Sequence, residues 1–291
     1  MHALRPARPY IDVHAHIGTT ISRVPPVGQS VEKYLARMSQ TNVVAAILSP
    51  AAGGLQVRGL QDTQEQNEVI ARACRQHADR FPIGLGIVEV RHGAAAVEEI
   101  ERCITRLGLV GLMCHPPLSG HRLGPILYPV LEVVEAHNGL ALLHTPDTAA
   151  HIAEYAQRFR RTTFIVAHGS MRPEGHRDVI ATCAGIDNLY VDIAQKPRGD
   201  PSWDLADLVR HIGGERILFG SDTPYYDYRL VQALIEESPL DEVTKDRIAW
   251  RNAAELIRRF RPGWQPLLRP PECPAEYAGT DLWVAHGARL R

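Results

Sequence analysis

Residues 10–18 read YIDVHAHIG. Asp12, His14 and His16 take alternate positions, with Ile11, Val13, Ala15 and Ile17 between them. A period of two is that of a β-strand, so His14 and His16 project from one face. Seven further apolar runs follow: VVAAILS (43–49), IGLGIVEV (83–90), LVGLMCH (109–115), GLALLHT (139–145), TFIVAHG (163–169), LYVDIA (189–194) and RILFGSD (216–222). They are rich in Val, Ile and Leu and nearly unbroken in apolar residues, as strands buried on both faces are. Between them lie amphipathic stretches at 63–78, 94–107, 126–137, 147–160, 174–184 and 203–212. Their apolar residues recur every three or four positions; Val69, Ile70, Ala73 and Cys74 form one such set. Eight alternations of this kind predict an α/β fold, a right-handed parallel (β/α)8 TIM barrel.

The end of the chain differs. Residues 239–260 read as a pair of short helices with Asp241 as an N-cap. Beyond Phe260 the chain is Pro-rich, and Trp264, Leu267, Leu268 and Trp283 suit a tail lying against the barrel or a second subunit. No repeat, low-complexity tract or linker breaks the sequence. The expectation is a single domain over 1–291, with the barrel at about 10–260 and an irregular C-terminal extension at 261–291.

Composition narrows the partners. Hydrophobic residues make up 45%, charged residues 22%, and the formal net charge is -1. No overall field favours nucleic acid or a membrane surface, which leaves a small-molecule substrate. Cys74, Cys103, Cys114, Cys183 and Cys273 are odd in number and lack CxxC spacing, so they read as reduced thiols of a cytoplasmic protein. No apolar run approaches the roughly 20 residues of a spanning helix. The N-terminus, MHALRPARPY, lacks the apolar stretch of a signal peptide.

In a parallel barrel the carboxyl ends of the strands form the active-site face. His14, His16, His115, His144, His168 and Asp222 all stand at such ends. Each needs a partner once buried. An HxH pair alone is often just hydrogen-bonded, but the whole ring indicates a metal. His14 and His16 with His144 and Asp222 would hold one divalent ion, Zn²⁺ first, with Mn²⁺, Fe²⁺ or Co²⁺ compatible. His115 precedes Pro116 and either faces substrate or caps a turn. His77, His92, His121, His137, His151, His176, His211 and His286 read as solvated surface.

Several motifs carry a resemblance: DVHAH (12–16), NEVIARACRQHADRFPIGLGIV (67–88), VGLMCHP (110–116), LLHT (142–145), VAHG (166–169), RILFGSDTP (216–224) and RNAAELI (251–257). Over about residues 10–260 the chain resembles the amidohydrolase superfamily, in its amidohydrolase-2 branch, which includes aminocarboxymuconate-semialdehyde decarboxylase-like enzymes. The resemblance implies that His14, His16, His144 and Asp222 bind the metal and that His168 is a catalytic or water-orienting histidine beside it. In some members that histidine instead holds a second metal. Many relatives in the branch carry a lysine in a GxKxHP stretch, where this chain reads GLMCHP with Met113. A thioether forms no carbamate, so a bridged two-metal site is not expected. The branch often forms homodimers, and the aromatic tail is compatible with that.

The first functional expectation is a metal-dependent hydrolase acting on a small amide, ester or lactone. The metal acidifies a water, Asp222 serves as base and then acid, and His168 stabilises developing charge. The alternative is a non-oxidative decarboxylase of a carboxylated aromatic or muconate-like substrate, which His168 and the metal hold and protonate. Arg91, Lys196 and Arg198 are candidate cationic anchors for such a substrate. Tyr225 and Tyr226 suit the pocket floor, and Glu89 suits the orientation of a ligand histidine. A second alternative is a non-catalytic metal-binding barrel. Loops 18–29, 50–62, 116–124 and 195–202 would shape the pocket.

Overall fold

A computed structural model describes residues 8–20, 27–51, 58–116, 121–144, 148–169, 175–196, 204–280 and 282. Its strands, in chain order, are β1 (Tyr10–Thr20), β2 (Val27–Gln29), β3 (Val43–Pro50), β4 (Ile83–Gly84) and β5 (Gly111–Cys114), then β6 (Leu140–Leu143), β7 (Thr163–Val166), β8 (Leu189–Asp192) and β9 (Ile217–Leu218). All but β2 start within the expected runs, and β1 and β3 extend past theirs, to Thr20 and Pro50. β2 pairs antiparallel with the end of β1. Its Gln29 amide donates to the His16 carbonyl at 2.8 Å.

The other pairings are parallel and form two sheets, ordered β2-β1-β3-β4 and β5-β6-β7-β8-β9. The sheets meet at two seams, each with a single parallel bridge: Gly86 with Leu112, and Ala15 with Thr223. At the second seam, Val13 N–H donates to Phe219 O at 3.1 Å, Asp222 N–H to His14 O at 2.8 Å and His16 N–H to Thr223 O at 2.9 Å. This is the expected α/β TIM barrel, with its ladder interrupted at both seams.

Helices cover the outside: α1 (Val31–Gln40), α2 (Leu60–Gln76), α3 (Ala94–Thr105), α4 (Tyr128–Ala136), α5 (Ala150–Arg158), α6 (Gly175–Cys183), α7 (Leu205–Ile212) and α8 (Tyr228–Glu236). On α2 the buried face carries Thr63, Asn67, Ile70, Ala71, Ala73 and Cys74. Val69, expected on that face, is 39% exposed because it stands about a quarter-turn round the helix from Ile70. The chain then forms α9 (Glu242–Asp246), a π-helical turn (Arg247–Arg251) and α10 (Asn252–Phe260). Asp241 caps α9 as expected, accepting the Thr244 N–H at 2.8 Å.

Alternating strand residues serve two apolar layers. Tyr10, Ala46, Leu48, Leu112, Ala141 and Phe164 pack in the layer that includes helix residues. Ile11, Val13, Ala45, Ile47, Ile83, Leu140 and Tyr190 fill the interior. α10 adds Ala253, Ala254, Leu256 and Ile257 to the interior cluster, at the end where the strands begin. That end is plugged, which leaves the strand carboxyl ends for chemistry. Trp264 packs on the plug, whereas Leu267 and Leu268 are 41% and 58% exposed. Backbone carbonyls anchor the tail: Arg80 donates to Arg269 O at 2.6 Å. Among the described residues no helix is long and apolar enough to cross a membrane.

One strand is much shorter than its run. Residues 83–90 were expected to be extended and paired, but the ladder ends at Gly84 and Val90–His92 form a 3-10 turn. A side chain takes over the pairing. The buried Asn67 accepts Ile87 N–H at 2.8 Å and donates to Ile87 O at 2.9 Å and to Glu99 at 2.8 Å. Asn67→Ala leaves two buried backbone groups at Ile87 without this partner. It is expected to lower stability by about 2–4 kcal/mol, since each orphaned buried group costs about 1–3 kcal/mol. The urea midpoint measures this, with far-UV circular dichroism checking that the fold is retained.

Candidate active site

The aim of the two histidines on β1 depends on an irregularity. Pairing with β3 slips register between Asp12 and Ala15. Ile11 and Val13 belong to the interior cluster, while Ala15 and Ile17 belong to the outer layer. The inward parity therefore changes between Val13 and Ala15, and His14 and His16 turn to the inner side. Re-aiming a side chain is a common use of a bulge beside a site. The opposite side of the seam leaves little room. A Cβ on Gly220 would lie 2.9 Å from His14 Cβ and 3.1 Å from Asp192 Oδ1, so this position of GSDTP needs glycine.

The structure gathers the five central residues that the sequence singled out. The His14 ring lies 5.0 Å from His16, 4.8 Å from His144 and 4.8 Å from His168, between centroids. Donor atoms of His14, His144, His168 and Asp222 all lie within 4.8 Å of one another, and the four residues are buried. His16 joins through its Nε2, 3.1 Å from Asp222 Oδ1, although its ring stands 6.3 Å from that of His144. The tight group thus has His168 where the sequence reading placed His16.

Three of the rings are held from behind. His14 Nδ1 faces Asp192 Oδ2 at 3.0 Å, His16 Nδ1 faces Pro50 O at 3.1 Å, and His144 Nδ1 faces Cys114 O at 3.2 Å. Carbonyl and carboxylate oxygens only accept, so each Nδ1 carries a proton and each Nε2 points into the ring. His14 Nε2 and His168 Nδ1 are buried with no hydrogen-bond partner. Orphaned imidazole nitrogens facing a carboxylate fit a divalent cation.

The electrostatics agree. Burial brings His168 down to about 4 and holds His144 well below the usual histidine value. Burial opposes a charge on His14 too, but the Asp192 carboxylate beside it pushes it up to about 9. Burial also works against ionised Asp222. The surrounding imidazoles of His16, His14 and His168 nevertheless hold it well below the usual carboxylate range.

Asp192 was not picked out from the sequence. Its Oδ2 holds His14, and its Oδ1 accepts the N–H groups of His168 at 3.0 Å and Ala194 at 2.9 Å. The signal was present: Asp192 is the one charged residue in LYVDIA, at a strand end like the histidines. Asp12 braces the seam in a similar way. It accepts from Tyr34 OH at 2.9 Å, Ser221 N–H at 3.0 Å and His14 N–H at 3.0 Å. His168, Gln195 and Asp222 all have left-handed backbone, with φ of 61°, 59° and 59°. Such conformations in non-glycine residues cluster at functional sites.

A family model described as amidohydrolase matches residues 11–259. The chain belongs to the amidohydrolase family. A relative of this amidohydrolase is the gamma-resorcylate decarboxylase of Rhodococcus jostii (strain RHA1), 24% identical over 78% of this chain and 87% of that protein. The solved 2,6-dihydroxybenzoate decarboxylase from Rhizobium is 18% identical, with a TM-score of 0.67 over 87% of this chain and 99% of that one. A dihydroxybenzoic acid decarboxylase from Polaromonas sp. JS666, solved with bound manganese and the inhibitor 2-nitroresorcinol, is 18% identical. Its TM-score is 0.63, over 86% of this chain and 97% of that one. The two solved structures show the shared fold.

The remaining candidates of this amidohydrolase divide. The His115 ring lies 4.3 Å from that of His144, and burial brings it down to about 4. The Tyr225 ring lies 5.7 Å from that of His16. Lys196 is buried, and its charge is felt at His168. Met113 is buried in the interior cluster, where it leaves no amine for a bridge between two metals. Glu89 does not orient a ligand histidine. It caps the 3-10 turn and binds Arg91 at 2.8 and 2.9 Å, because the two are neighbours on that turn. Arg91 is correspondingly committed to Glu89, with its side chain 56% exposed. His176 is buried, 3.9 Å from Asp207, rather than solvated. Arg198, Trp283, His286 and the central parts of the four pocket-shaping loops lie outside the described residues.

Asp192→Asn tests the support of His14. Its remaining oxygen can still accept from His168 and Ala194, but its amide would donate to His14 Nδ1. That forces the ring proton onto Nε2, where the lone pair is needed. The expected result is metal affinity weakened about 10–100-fold, the usual cost of losing such a support. Chelator competition measures it.

Proposed function

We propose that this amidohydrolase is a metal-dependent, non-oxidative decarboxylase of a hydroxylated or methoxylated aromatic carboxylic acid. The observation that carries this reading is the likeness to gamma-resorcylate decarboxylase along 87% of that protein's length. Support therefore favours decarboxylation over hydrolysis, which the sequence put first. The donor set we assign is His14, His16, His144 and Asp222. His16 is favoured over His168 because its ring is fixed from behind by Ser49 Oγ at 2.9 Å as well as Pro50 O. When bound, the ion supplies Lewis acidity that holds an anionic oxygen of the substrate. Manganese in the Polaromonas neighbour makes Mn²⁺ the first ion to test, ahead of Zn²⁺.

The chain's own residues do the rest. Lys196 offers a buried positive charge for the substrate carboxylate, beside His168. His168 is neutral in the bare site because of its burial. An anionic substrate next to it acts in the other direction and raises its proton affinity. His168 then delivers a proton to the ring carbon that bears the carboxylate. The bond to the carboxylate breaks, its electron pair returns to the ring, and CO2 leaves. Tyr225 and His115 line the approach, where flat rings suit an aromatic substrate.

Purified protein loaded with Mn²⁺ is expected to release CO2 from 2,6-dihydroxybenzoate or a carboxylated vanillate and to leave lactones and amides intact. Acid and amine or alcohol products without CO2 would establish the hydrolytic alternative. A folded, metal-binding protein inactive on the whole panel would leave the non-catalytic barrel. Two substitutions separate the histidines. His16→Ala is expected to lose metal. His168→Ala is expected to keep it and to lower kcat by about 10²–10⁴, the usual loss for a removed proton donor.

A further inference from the structure

The Asp222 carboxylate stands between two walls. Its Oδ1 faces His16 Nε2 at 3.1 Å and His14 Nε2 at 3.5 Å, across the seam. Its Oδ2 accepts the side-chain amide of Gln195, from the turn after β8. We propose that Gln195 is a positioning residue that holds Asp222 to the cation through Oδ1 alone. The amide fixes the carboxylate rotation, so that Oδ2 is kept from swinging in as a second ligand oxygen. The coordination position this would spare is one a substrate oxygen could take. The inference rests on the reading of Asp222 as a ligand and adds what sets the manner of its binding.

The turn is built to aim Gln195. Its φ of 59° lies in the left-handed region, which costs a non-glycine residue free energy. Bonds on either side hold it there: Ala194 N–H donates to Asp192 Oδ1 at 2.9 Å, and Lys196 N–H to Ile193 O at 3.3 Å. Asp192 thus orients His14, His168 and the turn that presents Gln195. A glycine would fit this backbone without strain, so the side chain at this position has a use that offsets its conformational cost.

The test uses Gln195→Ala and Gln195→Gly, which both remove the amide but differ in backbone cost. The whole chain is loaded with Co²⁺, whose visible absorption reports the number and arrangement of ligand atoms, and Mn²⁺ affinity is measured by chelator competition. Neither readout needs a substrate. Both variants are expected to show the same shift in band position or intensity, towards a higher ligand number, with Mn²⁺ affinity changed equally in the two. Their thermal stabilities should differ, with glycine the higher. Wild-type spectra in both variants, or a wild-type glycine variant beside an altered alanine variant, would overturn the inference. If wild-type protein binds Mn²⁺ but releases no CO2, the decarboxylase reading fails while this result stands on its own. If Asp222→Asn leaves wild-type metal binding intact, the ligand reading fails and this inference falls with it.

Discussion

A buried carboxylate at the end of β8 accepts two backbone N–H groups on one oxygen and faces the Nδ1 of His14 with the other. Burying an ionised carboxyl is costly unless its lone pairs are satisfied, and here three donors satisfy them. In return Asp192 ties together residues from β1, from the end of β7 and from its own turn. It sets the tautomer of His14, fixes the left-handed backbone of His168 and shapes the turn that carries Gln195. The donor atoms could keep their identities without it, but they would lose their directions.

The second constraint is the seam between β1 and the segment after β9. β1 pairs with β3 on one side and must meet Phe219–Thr223 on the other, and it does so only by breaking register between Asp12 and Ala15. The break turns His14 and His16 inward, and Asp12 accepts from Ser221 across it and from Tyr34 of α1. Gly220 lets the two backbones close. The irregular pairing and the chemistry are thus one feature, since a regular ladder through this stretch would send its side chains the wrong way.

Much of this was legible in the residues. Eight apolar runs announced the barrel, because strands buried on both faces leave no other pattern. Polar residues at their ends announced the ring, because histidines at such positions need partners. Asp192 carried the same signal as the histidines and was overlooked inside a run read only as a strand. Other features had no local signal. β2 is three residues long, too short to show a periodicity. The ladder of β4 stops where Asn67 replaces it, a contact between residues 20 apart in the chain. Glu89 and Arg91 looked like pocket residues because they follow a strand. Each instead satisfies the other, which spacing alone does not reveal.

Among the described residues the regular ladder divides into two sheets, which meet at two seams through irregular backbone hydrogen bonds rather than a continuous ladder. His14 and His16 come from one sheet; His144 and His168 come from the other, and Asp222 follows its last strand. An ion seated among them would act as a clasp, fastening the two sheets beside the seam where the register is irregular. Occupancy and mechanical closure of the barrel would then be one equilibrium, and losing the ion would loosen the mouth before it disturbed the plugged base.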